Sequence, residues 1–226
     1  MGQKVNPISF RIGINQPWKS RWFARGAEYR KLLLEDVNLR KVLEARLKLA
    51  GVNDIQIERL LKSITIKIAV SRPGIVIGRG GSGIEEIKKQ VLKELGLSQH
   101  DPRAPKIDIQ VEEIKNPELS AKLVSQRVAA EMERRMPHRR VANKVIDRVM
   151  AAGAKGIKIV LAGRIGGAEI GRREKYQRGS VPTQTLRSEI DYAQTPALLK
   201  RGYVGVKVWI TKPKAALGGM NNTQQR

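Results

Sequence analysis

The sequence predicts an α+β chain of two domains with a basic extension at each end. Three observations carry this. Residues 27–114 read in the order helix, strand, strand, short helix, helix, strand, and residues 115–212 read as two helices followed by strands. The flanking stretches 1–26 and 213–226 hold neither a helical nor a strand period. A length of 226 residues with 41% hydrophobic content supplies apolar surface for two cores of ordinary size.

In the first domain the pattern turns helical at Ala27. Val42, Leu43 and Leu47 fall on one face before Gly51 offers a stop. A short strand is expected at 54–58. Ile64, Ile66, Ile68 and Val70 then alternate with Ser63, Thr65, Lys67 and Ala69, the period of a strand with one buried face. Pro73-Gly74 breaks that run, and Ile75-Val76-Ile77 forms a single apolar turn. After Gly78-Arg79-Gly80-Gly81, the residues Ile84, Ile87, Val91 and Leu95 mark an amphipathic helix. The polar stretch 98–105 reads as a loop, and Ile107, Ile109 and Val111 as a third strand.

The second domain opens at Asn116-Pro117, an N-cap followed by proline at the first helical position. Leu119, Leu123, Val128 and Met132 keep helical spacing up to Pro137. Val141, Val145 and Val149 mark a second helix, closed by Gly153. Strands are expected at 156–163, 185–192 and 203–210, with a Gly- and Arg-rich stretch at 164–179 between the first two. Two helices over an antiparallel sheet is the simplest closure.

Charge narrows the function. The net charge is +23 and the pI about 10.7, whereas solubility of a small domain asks for a magnitude of only ~2–8. An excess this large repels itself in isolation, so a polyanionic partner is expected, with nucleic acid foremost. Cysteine is absent, which excludes disulfides, thiolate catalysis and cysteine-bound zinc or iron–sulfur sites. No apolar run approaches the ~20 residues of a membrane span, and the N-terminus lacks the apolar stretch of a signal peptide. Met1-Gly2 begins like a myristoylation site, but Asn6 stands where that motif needs Ser or Thr. A cytoplasmic protein without membrane partners is expected.

Catalytic signatures are missing from the sequence. His100 and His138 form no spaced metal motif and read as surface residues, and no G-x-x-x-x-G-K-[ST] occurs to drive nucleotide hydrolysis. The carboxylates Glu112, Glu113, Glu131 and Glu133 read as solvated or RNA-facing positions. Neither catalysis nor a cofactor is expected.

The arm 1–26 mixes Lys4, Arg11, Lys19, Arg21 and Arg25 with Phe10, Trp18, Trp22 and Phe23, four of the chain's nine Phe, Trp and Tyr residues. Cations interleaved with rings suit an arm laid on RNA, where rings stack on unpaired bases. Rings that pin the arm to its own protein give the same pattern.

The glycine-rich segment after Ile77 admits three readings. Gly78, Gly80 and Gly83 spell the dinucleotide-binding G-x-G-x-x-G, but that fingerprint needs a full strand directly before it, and only a three-residue turn is present. A plain flexible turn is the second reading. The third is the Gly-x-x-Gly loop of a KH domain, which joins two helices and clamps about four nucleotides. Glycines there let a phosphate reach the backbone amides, and Arg79 adds a cation. The order of elements around the loop favours this third reading.

Longer segments carry a wider resemblance. They are Met1-Gly2-Gln3-Lys4-Val5-Asn6-Pro7 with Arg11-Ile12-Gly13-Ile14; Arg72-Pro73-Gly74-Ile75-Val76-Ile77-Gly78; Gly153-Ala154-Lys155-Gly156-Ile157-Lys158; Gly163-Arg164-Ile165-Gly166-Gly167-Ala168-Glu169-Ile170; and Gly205-Val206-Lys207-Val208-Trp209-Ile210. Through them the chain resembles the bacterial small-subunit ribosomal protein S-three family over nearly its whole length. The resemblance implies a type II KH domain followed by a two-layer α/β domain in the head of the small subunit. It also implies 16S rRNA, messenger RNA and neighbouring head proteins as partners, with no homo-oligomer.

On this reading Gly78, Arg79, Gly80 and Gly81 form the KH loop. Lys4, Arg11, Lys19, Arg21, Arg164, Arg172 and Arg173 are the basic residues expected on rRNA. In the family an Arg-Arg-x-x-Lys run lines the channel by which messenger RNA enters, and helps the ribosome open structured messages. Here Arg139 and Arg140 match it, Asn143 occupies the lysine position, and Lys144 follows as a candidate replacement. A free-standing KH regulator of messenger RNA is the alternative, although basic extensions at both ends suit a large ribonucleoprotein better.

Overall fold

The computed structural model describes residues 4–96 and 105–213. Most of the expected 98–105 loop, His100 and the tail 214–226 lie outside the described residues. The chain divides into two compact units, Trp18–Lys115 and a second that joins Met1–Pro17 to Asn116–Arg226. The N-terminal arm is therefore shared: its first part belongs with the C-terminal half.

The Trp18–Lys115 unit runs β1 (Ser20–Arg21), α1 (Gly26–Arg46), β2 (Val52–Arg59), β3 (Ser63–Val70), α2 (Pro73–Ile77), α3 (Ser82–Glu94) and β4 (Lys106–Glu113). The sheet order is β1-β2-β3-β4; β2 and β3 pair antiparallel, while β1 on β2 and β4 on β3 are parallel. Strict alternation in β3 turns Ile64, Ile66, Ile68 and Val70 into the core. Leu39 and Leu43 of α1, and Ile87 and Val91 of α3, lie four apart on their helices and close over the same side. A parallel β3–β4 pair needs a crossover, and α2, the glycine loop and α3 supply it. That connection places the loop outside the core.

In the second unit α4 (Ala121–Glu133) and α5 (His138–Ala151) precede β5 (Gly156–Gly163), β6 (Arg172–Gly179), β7 (Ile190–Leu199) and β8 (Gly202–Thr211). The sheet is antiparallel throughout, in the order β6-β5-β8-β7. Helix α4 packs on β7 and β8, and α5 on β5 and β6. Val124, Val128 and Met132 meet Val141, Val145 and Val149 over Ile157, Ile159, Leu161, Val206 and Val208. An α+β chain with two helices on an antiparallel sheet is what the periodicities predict.

Several local expectations need correction. Asn116 does not cap a helix; Pro117–Leu119 is a 3-10 turn, and the cap of α4 is Ser120, whose hydroxyl accepts from Leu123 N at 3.4 Å. The stretch 164–179 is not merely a connection, because Arg172–Gly179 is the edge strand β6. The strand expected at 185–192 is displaced: β7 begins at Ile190. The segment before it turns its carbonyls toward Arg11 instead of pairing in the sheet.

Candidate nucleic-acid interface

The glycine loop stands on a tight neck. A Cβ on Gly78 would lie 2.9 Å from the Gly83 amide nitrogen, and one on Gly83 would lie 2.4 Å from the Val76 carbonyl oxygen. Only two glycines can pass this closely. At the tip, Gly80 has φ +62° and Gly81 φ +85°, left-handed values that glycine adopts without strain. Space beside both is open, so an anion can reach the backbone there. Helix α3 starts at Ser82 with no side-chain cap, and although the Ser82 amide donates back to the Arg79 carbonyl, the positive dipole end of the helix is open to a ligand. Arg79 is exposed and makes no hydrogen bond or ion pair among the described residues. On α2, Ile75 and Ile77 are also exposed beside the loop. The sequence shows three apolar residues in this turn and gives no sign that only Val76 points inward.

The basic residues expected on RNA fall into distinct classes. Lys4 and Arg173 are exposed and carry no partner among the described residues. Lys19 pairs with Asp54 at 3.0 Å and Arg21 with Glu58 at 3.4 Å, both across open surface. Such exposed pairs are worth only ~0–1 kcal/mol and release easily to a phosphate. Arg164 is half-buried and donates from Nε to the Ala168 carbonyl at 2.8 Å. Arg172 is drawn to Glu174 at 3.0 Å.

Arg11 is the correction. It is 0% exposed and donates to the carbonyls of Pro7, Thr183, Thr185 and Ser188 at 2.7–3.0 Å. A guanidinium whose donors are spent on carbonyls in the interior cannot also grip a phosphate. Arg11 fastens the N-terminal segment to the 180–189 loop.

The aromatic residues of the arm divide likewise. Trp22 donates from Nε1 to Asp36 Oδ2 at 2.7 Å, and Ser20 and Arg59 bind the same buried carboxylate at 2.9 Å each. Trp22 thus pins the arm, while Trp18 and Phe23 remain exposed.

At the start of α5, Arg139 and Arg140 are exposed on a helix end that has no side-chain cap. His138 is not a surface residue: its Nε2 lies 3.1 Å from Glu174 Oε2, and its side chain is only 18% exposed. The Glu174 carboxyl is held below its ordinary range, first by the Tyr176 hydroxyl at 2.5 Å and then by His138, Arg172 and Arg139. Burial and the same bond push the Tyr176 hydroxyl up. Lys144 lies one turn beyond Arg140 and reaches Glu131 at 3.7 Å, while Asn143 faces solvent. Among the described residues no three potential metal-ligating side chains cluster.

A mixed sheet covered by α1 and α3, with an open glycine loop joining α2 to α3 and carrying an exposed arginine, defines a KH-type RNA-binding protein. Residues 38–119 match the KH domain family, and residues 128–210 match "Ribosomal protein S3, C-terminal domain". The chain is 49% identical over 212 residues to small ribosomal subunit protein uS3 of Persephonella marina, covering 94% of this chain and 90% of the relative. It is 44% identical to that of Sulfurihydrogenibium, again covering 94% and 90% of the two chains. With the Lactobacillus delbrueckii protein it shares 43% identity over 227 residues, 100% of this chain and 97% of the other. The chain belongs to the small ribosomal subunit protein uS3 family, and it is not an enzyme.

Proposed function

We propose that this chain is a structural RNA-binding protein of the small ribosomal subunit. It binds 16S rRNA in the subunit head beside neighbouring head proteins, in the cytoplasm, and lends Arg139 and Arg140 to the channel by which messenger RNA enters. Family membership supports the ribosomal setting. One observation carries the RNA-binding mechanism: the open Gly78–Gly81 tip, the uncapped start of α3 and the unpaired Arg79 converge on one anion-accepting spot. Backbone amides and a guanidinium together hold a phosphodiester without reading its sequence.

At the start of α5 the exposed Arg139 and Arg140 oppose the helix dipole; Glu174 offsets part of this for Arg139, and an anionic RNA backbone offsets the rest. Lys144 supports them from the adjacent turn, since its pairing to Glu131 is long and part-exposed.

The loop is tested with Arg79→Asp and Gly80→Asp introduced together in the full chain. Affinity for a labelled 16S rRNA head fragment is expected to fall at least tenfold, with the thermal melt shifted only by an amount equivalent to about 0.5–1 kcal/mol. Unchanged affinity with an unchanged melt contradicts the loop assignment.

A further inference from the structure

Away from α4 and α5, the second sheet has another face, covered at Val160 and half-exposed around Lys158, Tyr192 and Trp209. Ile157, Ile159 and Leu161 point to the helices, so Lys158, Val160 and Ala162 point the other way. Register carries this across the strands: Lys158 lies opposite Gln177 and Trp209, Val160 opposite Lys175 and Lys207, Ala162 opposite Arg173, and Trp209 opposite Tyr192. We propose that this face is a second RNA-binding surface, taking an unpaired stretch of ribonucleotide chain. Lys4, Lys158, Arg173 and Lys207 meet its phosphates, and the Trp209–Tyr192 pair meets a base.

The four cations line one open groove of about 630 Å³, bounded on one side by the N-terminal segment, and its walls contain no Asp or Glu. None of the four forms an ion pair among the described residues. Burial and the charges of Lys4, Lys175 and Arg173 push the Lys158 ammonium down. No carboxylate lines the groove among the described residues to balance this repulsion, and an anion lying along it relieves it.

The rings favour RNA as that anion. The Lys158 ammonium sits 4.9 Å from the Trp209 ring centre, and Tyr192 lies 5.0 Å from Trp209 at a tilt of 39°. A polyanion without π-faces gains nothing from such rings, whereas an unpaired base can pack against them. A duplex keeps its bases inside and offers the rings no face. The inference rests on the reading of the chain as an RNA-binding protein but uses a surface separate from the KH loop.

The test measures binding of the full chain to a labelled, unstructured twelve-nucleotide RNA over a range of salt, alongside the same RNA in duplex form. Two variants are compared with the parent, Lys158→Gln with Lys207→Gln and Lys4→Gln with Arg173→Gln, each checked for folding by circular dichroism. A folded variant is expected to flatten the slope of log affinity against log salt by about 1.4, two single-strand contacts at ~0.7 each. Its duplex binding should change little. If the parent binds no RNA, the functional reading itself fails. If the parent binds and a folded variant keeps its slope, this surface alone is refuted. Loss of binding to poly-glutamate with RNA binding intact overturns the inference in favour of an acidic protein partner.

Discussion

Arg11 and Arg139 carry the same charge in opposite settings, and burial decides which of them can meet an outside anion. Arg11 gives its donors to carbonyls of the Pro7 turn and the 180–189 loop in a site closed to water. Replacing it by alanine leaves those buried acceptors unmet, so Arg11→Ala is expected to lose about 3 kcal/mol of stability. Arg11→Lys should recover only part, because an ammonium cannot imitate the planar fork. Urea unfolding measures both; an unchanged midpoint for Arg11→Ala refutes the fastening role. Arg139 and Arg140 face solvent, and their double alanine variant is expected to leave subunit assembly intact. Translation through a stable messenger hairpin should slow, with little change on an unstructured message. Equal slowing on both messages indicates a general structural defect instead. Arg11 reads like any arm cation in the sequence, since all its acceptors except the Pro7 carbonyl lie more than 170 residues away. No local pattern records such a contact.

Among the elements, β6 depends on side-chain chemistry more than on apolar burial. As an edge strand of Arg172, Arg173, Glu174, Lys175, Tyr176, Gln177 and Arg178, it lacks the alternation that made β3 legible. Its Glu174 Oε2 lies 3.1 Å from His138 Nε2 of α5. Because the folded state lowers the Glu174 pKa, its ionised form contributes stability above the ordinary carboxylate range, and that contribution is lost as pH falls through the depressed value. Glu174→Gln is therefore expected to cost about 1–2 kcal/mol at pH 7 and less at pH 3. Denaturant unfolding at the two pH values checks this, and an equal loss at both contradicts it. The start of β7 departs from the sequence expectation for a related reason. Thr185 and its neighbours carry strand-forming residues, yet their carbonyls are claimed by Arg11. Helix α4 began late because Ser120, not Asn116, presents a hydroxyl to the first turn. The glycine loop, by contrast, was legible from order alone: a strand, a proline break, one apolar turn and an amphipathic helix leave few other places for it.

For the whole molecule, the +23 charge and the sparse aromatic content make phosphate contact the dominant source of affinity. RNA binding should weaken steeply with salt, by roughly 0.7–0.9 in log affinity per log unit of salt for each phosphate met. The exposed cations that the fold leaves unpaired, Arg79, Lys4 and Arg173 among them, are where those contacts are expected. Charge alone does not separate a ribosomal component from a free regulator, since both need the loop and the excess of Lys and Arg. Sedimentation does. A lysate of cells producing the native chain is run through a sucrose gradient at low magnesium, where the ribosomal subunits part, and the chain is followed by immunoblot. The account predicts that it travels with the small subunit and is released by high salt or by nuclease. A slow free peak, with none of the chain in the small-subunit fractions, would contradict it.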